Sequence, residues 1–173
     1  MGPDRAGDVA AGLVVRPAID ADWPAIWSIW RRVVATGDSY VWEADTTEED
    51  ARRYWMLPPP AEVVVAELDG IVVATADLRP NQIGRGAHVA NASFMVDPDR
   101  AGRGIGRALA EAVIARARRA GYRAMQFNAV VATNAAAIAL WESLGFTVVG
   151  RVPGAFRHDD HGLVDLLVMY REL

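Results

Sequence analysis

Two β-branched runs separated by Asp69-Gly70 are the feature that most constrains the fold of this chain. The segments "EVVVAEL" (62–68) and "IVVATADL" (71–78) have the length and the residue types of strands. An Asp-Gly dipeptide between two such runs is the strongest short-range signal for a hairpin turn. A third run, "HVANASFMV" (88–96), follows a loop that contains glycines. The three runs together predict an antiparallel meander.

Helical and strand patterns flank this meander on both sides. A strand pattern at 12–18 comes first, and two helices are predicted from about residue 23 to 36 and from about 47 to 56. After the meander the order is helix, strand, helix and two strands. This order predicts an α/β chain in which helices cover both faces of one mixed sheet. We expect one domain over residues 1–173, with residues 1–10 as a mobile tail.

The composition argues against several classes of protein. Because the 173 residues include no cysteine, disulfides, thiolate metal sites and a catalytic thiol are excluded, and a reducing, cytoplasmic setting is expected. No apolar run approaches the roughly 20 residues of a membrane span, so no membrane partner is expected. The formal net charge of −4 argues against a nucleic-acid partner.

A glycine-rich segment, "VDPDRAGRGIGRAL" (96–109), joins the third meander strand to a helix. Glycines at 102, 104 and 106 let backbone N–H groups approach an anion, and the helix adds its positive N-terminus. A diphosphate cradle is one interpretation, and a glycine turn that serves only the helix start is the other. The spacing differs from that of a Walker loop. A dinucleotide fold is also disfavoured, because the preceding strand is the third of an antiparallel meander.

A second motif, "NAAAIALWESLGF" (134–146), follows a predicted strand and begins with Asn134. An asparagine directly before a helix is a good N-cap. In this order the glycine segment and the second motif resemble those of the GNAT superfamily of acetyl-CoA-dependent N-acetyltransferases. The resemblance implies a mostly antiparallel, mixed sheet of about seven strands that is splayed between its fourth and fifth strands. It also implies acetyl-CoA as the cosubstrate, and no metal.

The GNAT resemblance places the cofactor on particular residues. The family's loop has the form Q/R-x-x-G-x-G/A, which falls on 101–106 with Ala101 where Gln or Arg is usual. Backbone groups around Met95 and Val96 are implied to bind the pantetheine arm and to stabilise the oxyanion of the reacting thioester. The implied cofactor-binding residues are Met95, Val96, Ala101, Gly102, Arg103, Gly104, Ile105, Gly106, Arg107, Asn134 and Trp141.

Trp141 departs from the family pattern. Many GNAT members carry a tyrosine at this position, whose hydroxyl can protonate the departing thiolate. An indole N–H donates a hydrogen bond but does not give up its proton at neutral pH. We therefore expect Trp141 to pack against the cofactor or the core, and water or the cationic product to supply the proton.

Three segments resemble a narrower branch of the superfamily, which acetylates proline and analogues such as azetidine carboxylate. They are "GRGAHVANASFMV", "FNAVVATN" and "LGFTVVGRVPGAF". The branch resemblance implies that Asn91 and Asn128 bind the carboxylate of a small amino-acid substrate, and Tyr40 is expected to wall the acceptor pocket. Three alternatives stay open: a phosphinothricin or methionine-sulfoximine type, a protein or peptide N-acetyltransferase, and a CoA-binding member without catalytic activity. The branch also implies a homodimer, for which Trp23, Trp27 and the last strand are candidate surfaces.

A general base for the acceptor ammonium is not identifiable from the sequence. The candidates are His88, Asp77 and Glu43, although a loop or salt-bridge role is the simpler interpretation of each, and a chain of water molecules is the alternative. The segment "HDDH" (158–161) is expected to be a solvated loop and not a metal site, because no further ligand on a rigid element is evident.

Overall fold

The computed structural model describes residues 12–173, so the predicted tail at residues 1–10 lies outside the described part of the chain. The elements follow the predicted order. They are β1 (Leu13–Pro17), α1 (Trp23–Val34), α2 (Glu48–Trp55), β2 (Glu62–Leu68), β3 (Ile71–Pro80), β4 (Val89–Val96), α3 (Ile105–Arg119), β5 (Ala124–Val131), α4 (Ala135–Ser143), β6 (Thr147–His158) and β7 (Gly162–Glu172). None of the helices between residues 12 and 173 is long and apolar enough to cross a membrane.

One seven-stranded sheet runs through the protein in the order β1-β2-β3-β4-β5-β7-β6. Its neighbours pair antiparallel except for β4 and β5, which are parallel. The parallel register covers only Val89 with Ala124 and Ala90 with Met125. Beyond these pairs the two strands separate. The α/β fold class, the mixed sheet and the splay between the fourth and fifth strands are thereby confirmed.

A bulge in β5 lies directly beyond this separation. The ladder between β5 and β7 shifts between Phe127 and Val130, so Asn128 and Ala129 have no partner in the described register. Bulges redirect side chains at the point where a strand stops pairing regularly. The bulge therefore brings Asn128 to the edge of the gap between β4 and β5.

The two faces of the sheet carry separate hydrophobic cores. Helices α1 and α2 pack on one face, where Trp30, Trp55 and Met95 are buried together. Helices α3 and α4 cover the other face, with a core that includes Leu109 and Phe127. Because side chains alternate along a strand, successive residues of β4 face opposite cores. The splay thus opens a passage between two differently lined sides of the sheet.

The β6–β7 hairpin is longer than the sequence predicts. The pattern "FTVVGRV" predicts a strand that ends before Pro153-Gly154, but β6 continues through this dipeptide to His158. The strand lies at the edge of the sheet, where a proline without an N–H is tolerated, and a register shift between Val152 and Phe156 accommodates the dipeptide.

His158 corrects the expectation that the segment "HDDH" is wholly solvated. Its side chain is buried, with 7% of its surface exposed, and its Nε2 lies 3.2 Å from Asp38 Oδ1. Asp159, Asp160 and His161 form the exposed turn of the hairpin. Across residues 12–173, no cluster of three or more His, Cys, Asp or Glu side chains has the arrangement of a metal site.

Candidate active site

A cavity of about 410 Å³ opens where β4 and β5 separate. Its walls come from the loop after α1, from β3, β4 and β5, and from the start of α4. On the side of α3 and α4 it is bordered by Phe94, Val96, Asn134, Ala137 and Trp141. On the opposite side it is bordered by Tyr40, Trp42, Arg79, Asn91, Ser93 and Asn128. After the two ligands that the GNAT resemblance implies, the first group is called the cofactor half below, and the second the acceptor half.

The backbone of β4 turns groups towards this cavity that do not pair with another strand. Asp97 N donates to Val73 O at 2.9 Å, so the residue after β4 faces β3. Backbone groups of alternate residues in an antiparallel strand point to the same side, and Met95 therefore faces β3 as well. Phe94 and Val96 point the other way, into the gap left by β5. Of the two residues expected to bind the pantetheine arm through their backbone, Val96 is the one placed to do so.

The glycine loop has the geometry of an anion cradle. Gly102 and Gly104 have φ values of 75° and 78°, a region that favours glycine. Gly104 directly precedes α3, and its carbonyl accepts from Ala108 N at 3.0 Å as the first helical bond. The N–H groups at 105–107 have no partner within the helix, and they carry the positive end of its dipole. This arrangement fits the diphosphate of a CoA molecule.

An arginine from α1 anchors the start of this loop. Arg32 Nη1 lies 2.9 Å from Asp97 Oδ1, and its Nη2 lies 2.8 Å from Asp99 Oδ2. Both carboxylates raise the pKa of Arg32, with the hydrogen bond to Asp99 as the largest cause. The contact joins residues 65 positions apart, so sequence spacing gives no signal for it.

Asn134 is the N-cap of α4 in the structure. Its Oδ1 accepts a hydrogen bond from Ala137 N at 3.0 Å, and both residues border the cofactor half of the cavity. The cap uses the amide oxygen and not the amide nitrogen. The same side chain is therefore positioned both to start the helix and to donate to a ligand.

Trp141 is packed in an aromatic cluster at the bottom of the cofactor half. Its ring centroid lies 5.0 Å from that of Phe94, 4.6 Å from that of Phe127 and 6.0 Å from that of Phe146. The side chain is buried but still borders the cavity. This placement is the packing arrangement expected from the sequence.

The acceptor half contains an arginine that the sequence interpretation missed, Arg79, and it pairs with Asp77, for which a salt-bridge role was the simpler interpretation. Arg79 pairs in register with Asn91, and Asp77 pairs with Ser93. The Arg79 guanidinium contacts the Asp77 carboxylate, which is 1% exposed, and Arg79 also borders the cavity. Burial is the largest influence on the pKa of Arg79 and lowers it, but an arginine guanidinium remains charged at neutral pH. Strand alternation puts Asp77 and Arg79 on the same face of β3, and this was the available signal.

Asn91 and Asn128 both reach the acceptor half, as the branch resemblance implies. Asn91 is 9% exposed, and no hydrogen bond of its side chain is found within residues 12–173. Asn128 Nδ2 donates to Asn81 Oδ1 at 2.7 Å, and Asn128 Oδ1 accepts from Gln126 Nε2 at 2.8 Å. This chain of amides fixes the orientation of Asn128 and leaves its second N–H for another acceptor.

Tyr40 and Trp42 form an aromatic wall of the acceptor half. Their rings are stacked, with centroids 5.1 Å apart and planes within 5°. Burial raises the pKa of Tyr40 above its usual value, so its hydroxyl is protonated at neutral pH. Tyr40 therefore presents an apolar ring and a neutral hydroxyl to the cavity.

The three candidate bases occupy different places. His88 Nδ1 lies 3.1 Å from Arg85 O beside the paired start of β4, away from the splay. Glu43 forms an ion pair with Arg157 at 3.0 Å on the surface. Asp77 is nearest to the acceptor half, but it is engaged by Arg79.

Comparison with known proteins agrees with this geometry. The family model for the acetyltransferase (GNAT) family matches residues 23–146. The N-acetyltransferase aca1 of Schizosaccharomyces pombe is 42% identical over 151 residues, which cover 78% of this chain and 72% of that protein. An L-methionine sulfoximine/L-methionine sulfone acetyltransferase of Salmonella typhimurium is 33% identical, with 82% of this chain and 84% of that protein covered.

A solved structure has the same fold over nearly the whole chain. The GCN5-related N-acetyltransferase from Kribbella flavida superposes with a TM-score of 0.90 and 51% sequence identity, covering 94% of this chain and 99% of that one. The splayed sheet, the glycine cradle and these matches lead to one conclusion: the chain belongs to the GNAT family of acetyltransferases.

Proposed function

We propose that this GNAT enzyme transfers the acetyl group of acetyl-CoA to the amine of a small amino acid or amino-acid analogue, such as proline or azetidine carboxylate. Acetyl-CoA is the acetyl donor. The observation that carries the proposal is the grouping of Arg79, Asn91 and Asn128 on the acceptor half of one cavity.

These three side chains suit a carboxylate. A guanidinium presents N–H groups in a planar fork that matches the two oxygens of a carboxylate. The amides of Asn91 and Asn128 add neutral donors, which bind the anion without placing further charge near the thioester. A carboxylate held between them leaves the amine of the acceptor directed towards the gap in the sheet.

The remaining walls favour a compact acceptor. Tyr40 and Trp42 give one side of the cavity an apolar surface on which an aliphatic ring or a short side chain packs. The similarity to a methionine sulfoximine/methionine sulfone acetyltransferase makes such amino acids the second candidate acceptors. A peptide acceptor is less well supported, because Tyr40 and Trp42 wall one side of the cavity.

The site residues have separate roles in the proposed reaction. The cradle at 101–107 holds the diphosphate, and Val96 and Asn134 hold the pantetheine arm. Trp141 and Phe94 shield the thioester from water. Because Asp77 is committed to Arg79, the proton of the acceptor ammonium passes to water in this scheme. The leaving thiolate is likewise protonated from solvent or from the cationic product.

An assay of thiol release from acetyl-CoA tests the proposed function. The panel contains L-proline, azetidine-2-carboxylate, methionine sulfoximine, phosphinothricin, spermidine and a peptide with a free N-terminus. Turnover of one or more of the amino acids supports the proposal. Turnover of spermidine or the peptide alone contradicts it, and tight acetyl-CoA binding without turnover indicates a non-catalytic member.

We also propose that the enzyme is a homodimer in the cytoplasm. The candidate surfaces taken from the sequence need revision, because Trp23 is buried in the chain's own core and β7 lies between β5 and β6. One edge of the sheet is β6, where Val148, Val149 and Val152 are exposed. A long apolar edge strand favours association with a second copy. The cytoplasmic location rests on the absence of cysteine.

A further inference from the structure

The hydroxyl of Tyr40 is bonded to the backbone of β4 at the gap in the sheet. It donates to Phe94 O at 2.7 Å and accepts from Phe94 N at 3.0 Å. In a continuous sheet these two backbone groups would pair with β5, which has already separated from β4 at this level. Tyr40 therefore occupies the point where β4 would otherwise offer a free N–H to the cavity.

The Phe94 N–H lies at the boundary between the two halves of the cavity. Phe94 borders the cofactor half through its ring, next to Trp141, and its neighbour Ser93 borders the acceptor half. An acetyl carbonyl that accepts from this N–H would have its carbon exposed to the amine of an acceptor whose carboxylate is held by Arg79 and Asn91. The Tyr40 oxygen lies at 3.0 Å from the nitrogen, a distance typical of an oxyanion and its donor.

We propose that Tyr40 is a catalytic residue whose O–H joins the Phe94 N–H as the second donor to the carbonyl oxygen of the thioester. When that oxygen accepts from Phe94 N, the Tyr40 hydroxyl turns its hydrogen from Phe94 O to the same oxygen. This change needs rotation about the C–O bond and a small displacement of the ring. This role rests on the proposed function, because it assumes that the acetyl group lies between the two halves.

In the proposed step the acetyl group passes directly from sulfur to nitrogen. The neutral amine forms a bond to the acetyl carbon, and the carbonyl electron pair moves to the oxygen held by Tyr40 and Phe94. The pair returns as the carbon–sulfur bond breaks and sulfur leaves as a thiolate. The proton lost by the amine nitrogen goes to solvent, from which the thiolate takes one. Tyr40 donates a hydrogen bond throughout and keeps its proton.

The surroundings of Tyr40 favour this role over simple capping of a strand edge. The ring is held between Trp42, with which it stacks, and Trp55, which it meets edge-on with centroids 6.3 Å apart. Burial raises the pKa of the hydroxyl, which keeps it a neutral donor while charge develops on the acetyl oxygen. A neutral O–H donor held beside the gap stabilises an oxyanion once the hydroxyl has turned towards it.

The test compares Tyr40→Phe with Tyr54→Phe in the full chain. Tyr54 also stacks on Trp42, with centroids 5.8 Å apart, but it is 45% exposed and lies outside the cavity lining, so it is the matched control. The first measurement is the infrared carbonyl stretch of acetyl-CoA labelled with carbon-13 at the carbonyl, bound without any acceptor. We expect a lower frequency in the wild type and in Tyr54→Phe than in Tyr40→Phe.

The second measurement is the acetyl-transfer rate. Loss of one oxyanion donor lowers kcat by about 100-fold, while the affinity for acetyl-CoA changes far less. An unchanged carbonyl frequency in Tyr40→Phe, or an equal loss of affinity and kcat, would mean that Tyr40 only shapes the cleft and would overturn the assignment. Because the infrared measurement uses no acceptor, it stands even if the proposed amino-acid acceptors are wrong.

Discussion

Asn134 Oδ1 accepts a hydrogen bond from the backbone N–H of Ala137 at 3.0 Å, at the point where α4 begins and the cofactor half of the cavity ends. One amide is therefore expected to serve two functions. Its oxygen caps the helix, and its nitrogen is proposed to donate to the pantetheine arm. Capping and binding have different chemical requirements, so substitutions can separate them.

Asn134→Ser retains a cap and removes the amide nitrogen. We expect this variant to unfold at nearly the wild-type temperature, because serine is a good N-cap. Its affinity for acetyl-CoA is expected to fall by about tenfold, the loss of one hydrogen bond. Asn134→Ala should lose both properties, with about 1 kcal/mol of stability removed. Calorimetry and thermal unfolding provide the two readouts, and full acetyl-CoA affinity in Asn134→Ser would show that the residue only caps the helix.

Arg79 and Asp77 are expected to depend on each other. Replacing Arg79 by Met leaves the Asp77 carboxylate buried without its partner, and this costs about 3 kcal/mol of unfolding free energy. The double variant Asp77→Asn with Arg79→Met removes both charges, so we expect most of that stability to return. Urea unfolding measures both effects.

The double variant is expected to recover stability but not its affinity for the acceptor. Both variants lack the guanidinium, and we expect the KM for an amino-acid acceptor to rise by about tenfold or more in each, with the KM for acetyl-CoA unchanged. Recovery of the acceptor KM in the double variant would show that Arg79 supports the fold but does not bind the acceptor.

Acid stability should depend on Asp22. Its carboxylate is bonded by both Arg16 Nη1 and Nη2, at 2.7 and 2.8 Å, and these bonds hold its pKa below the usual value. A folded-state pKa below the unfolded value of about 3.9 adds stability above that pH, and the added stability is lost as the pH falls through the folded-state pKa.

Unfolding free energies measured from pH 7 to pH 2.5 check this expectation. The wild type should lose stability below about pH 4 more steeply than Asp22→Asn, which has no carboxylate to protonate at this position. Asp20→Asn is the control, because the Asp20 side chain is 92% exposed. Parallel curves for the wild type and Asp22→Asn would exclude the Arg16–Asp22 pair as a source of acid sensitivity.

The edge strand β6 should mediate the proposed dimer. Val149→Lys together with Val152→Lys places two like charges on each copy of this edge, which opposes pairing of two copies. We expect sedimentation to show a dimer for the wild type and a monomer for this variant. Ile83→Lys is the control, since Ile83 is 93% exposed on the β3–β4 loop. A wild-type monomer, or a dimer in both variants, would rule out this surface.

Most of the fold follows from local patterns in the sequence. The Asp69-Gly70 hairpin, the glycine loop before α3 and the cap at Asn134 each depend on residues close together in the chain, and each is found where expected. The branch resemblance also leads to the two asparagines, which reach one cavity from different strands. Their roles with ligands stay predictions.

The features that the sequence does not reveal depend on long-range contacts. Arg32 reaches the glycine loop from α1, and Tyr40 reaches Phe94 across 54 positions. The pairing of Arg79 with Asn91 depends on strand register, which a single sequence fixes weakly. β6 continues through Pro153-Gly154 because a proline is tolerated at the edge of a sheet, and the place of a strand in its sheet is not visible in a local pattern.

The most direct measurement compares acceptors with and without a carboxylate. Azetidine-2-carboxylate is paired with azetidine, and proline with pyrrolidine, in the wild type and in Asn91→Ala and Asn128→Ala. We expect kcat/KM to favour the carboxylated member by about 100-fold in the wild type. In each variant this preference should fall to about tenfold, because each amide contributes a charge-assisted hydrogen bond. Equal turnover of both members, or an Asn128→Ala protein that changes only the KM for acetyl-CoA, would contradict an acceptor half built to hold a carboxylate.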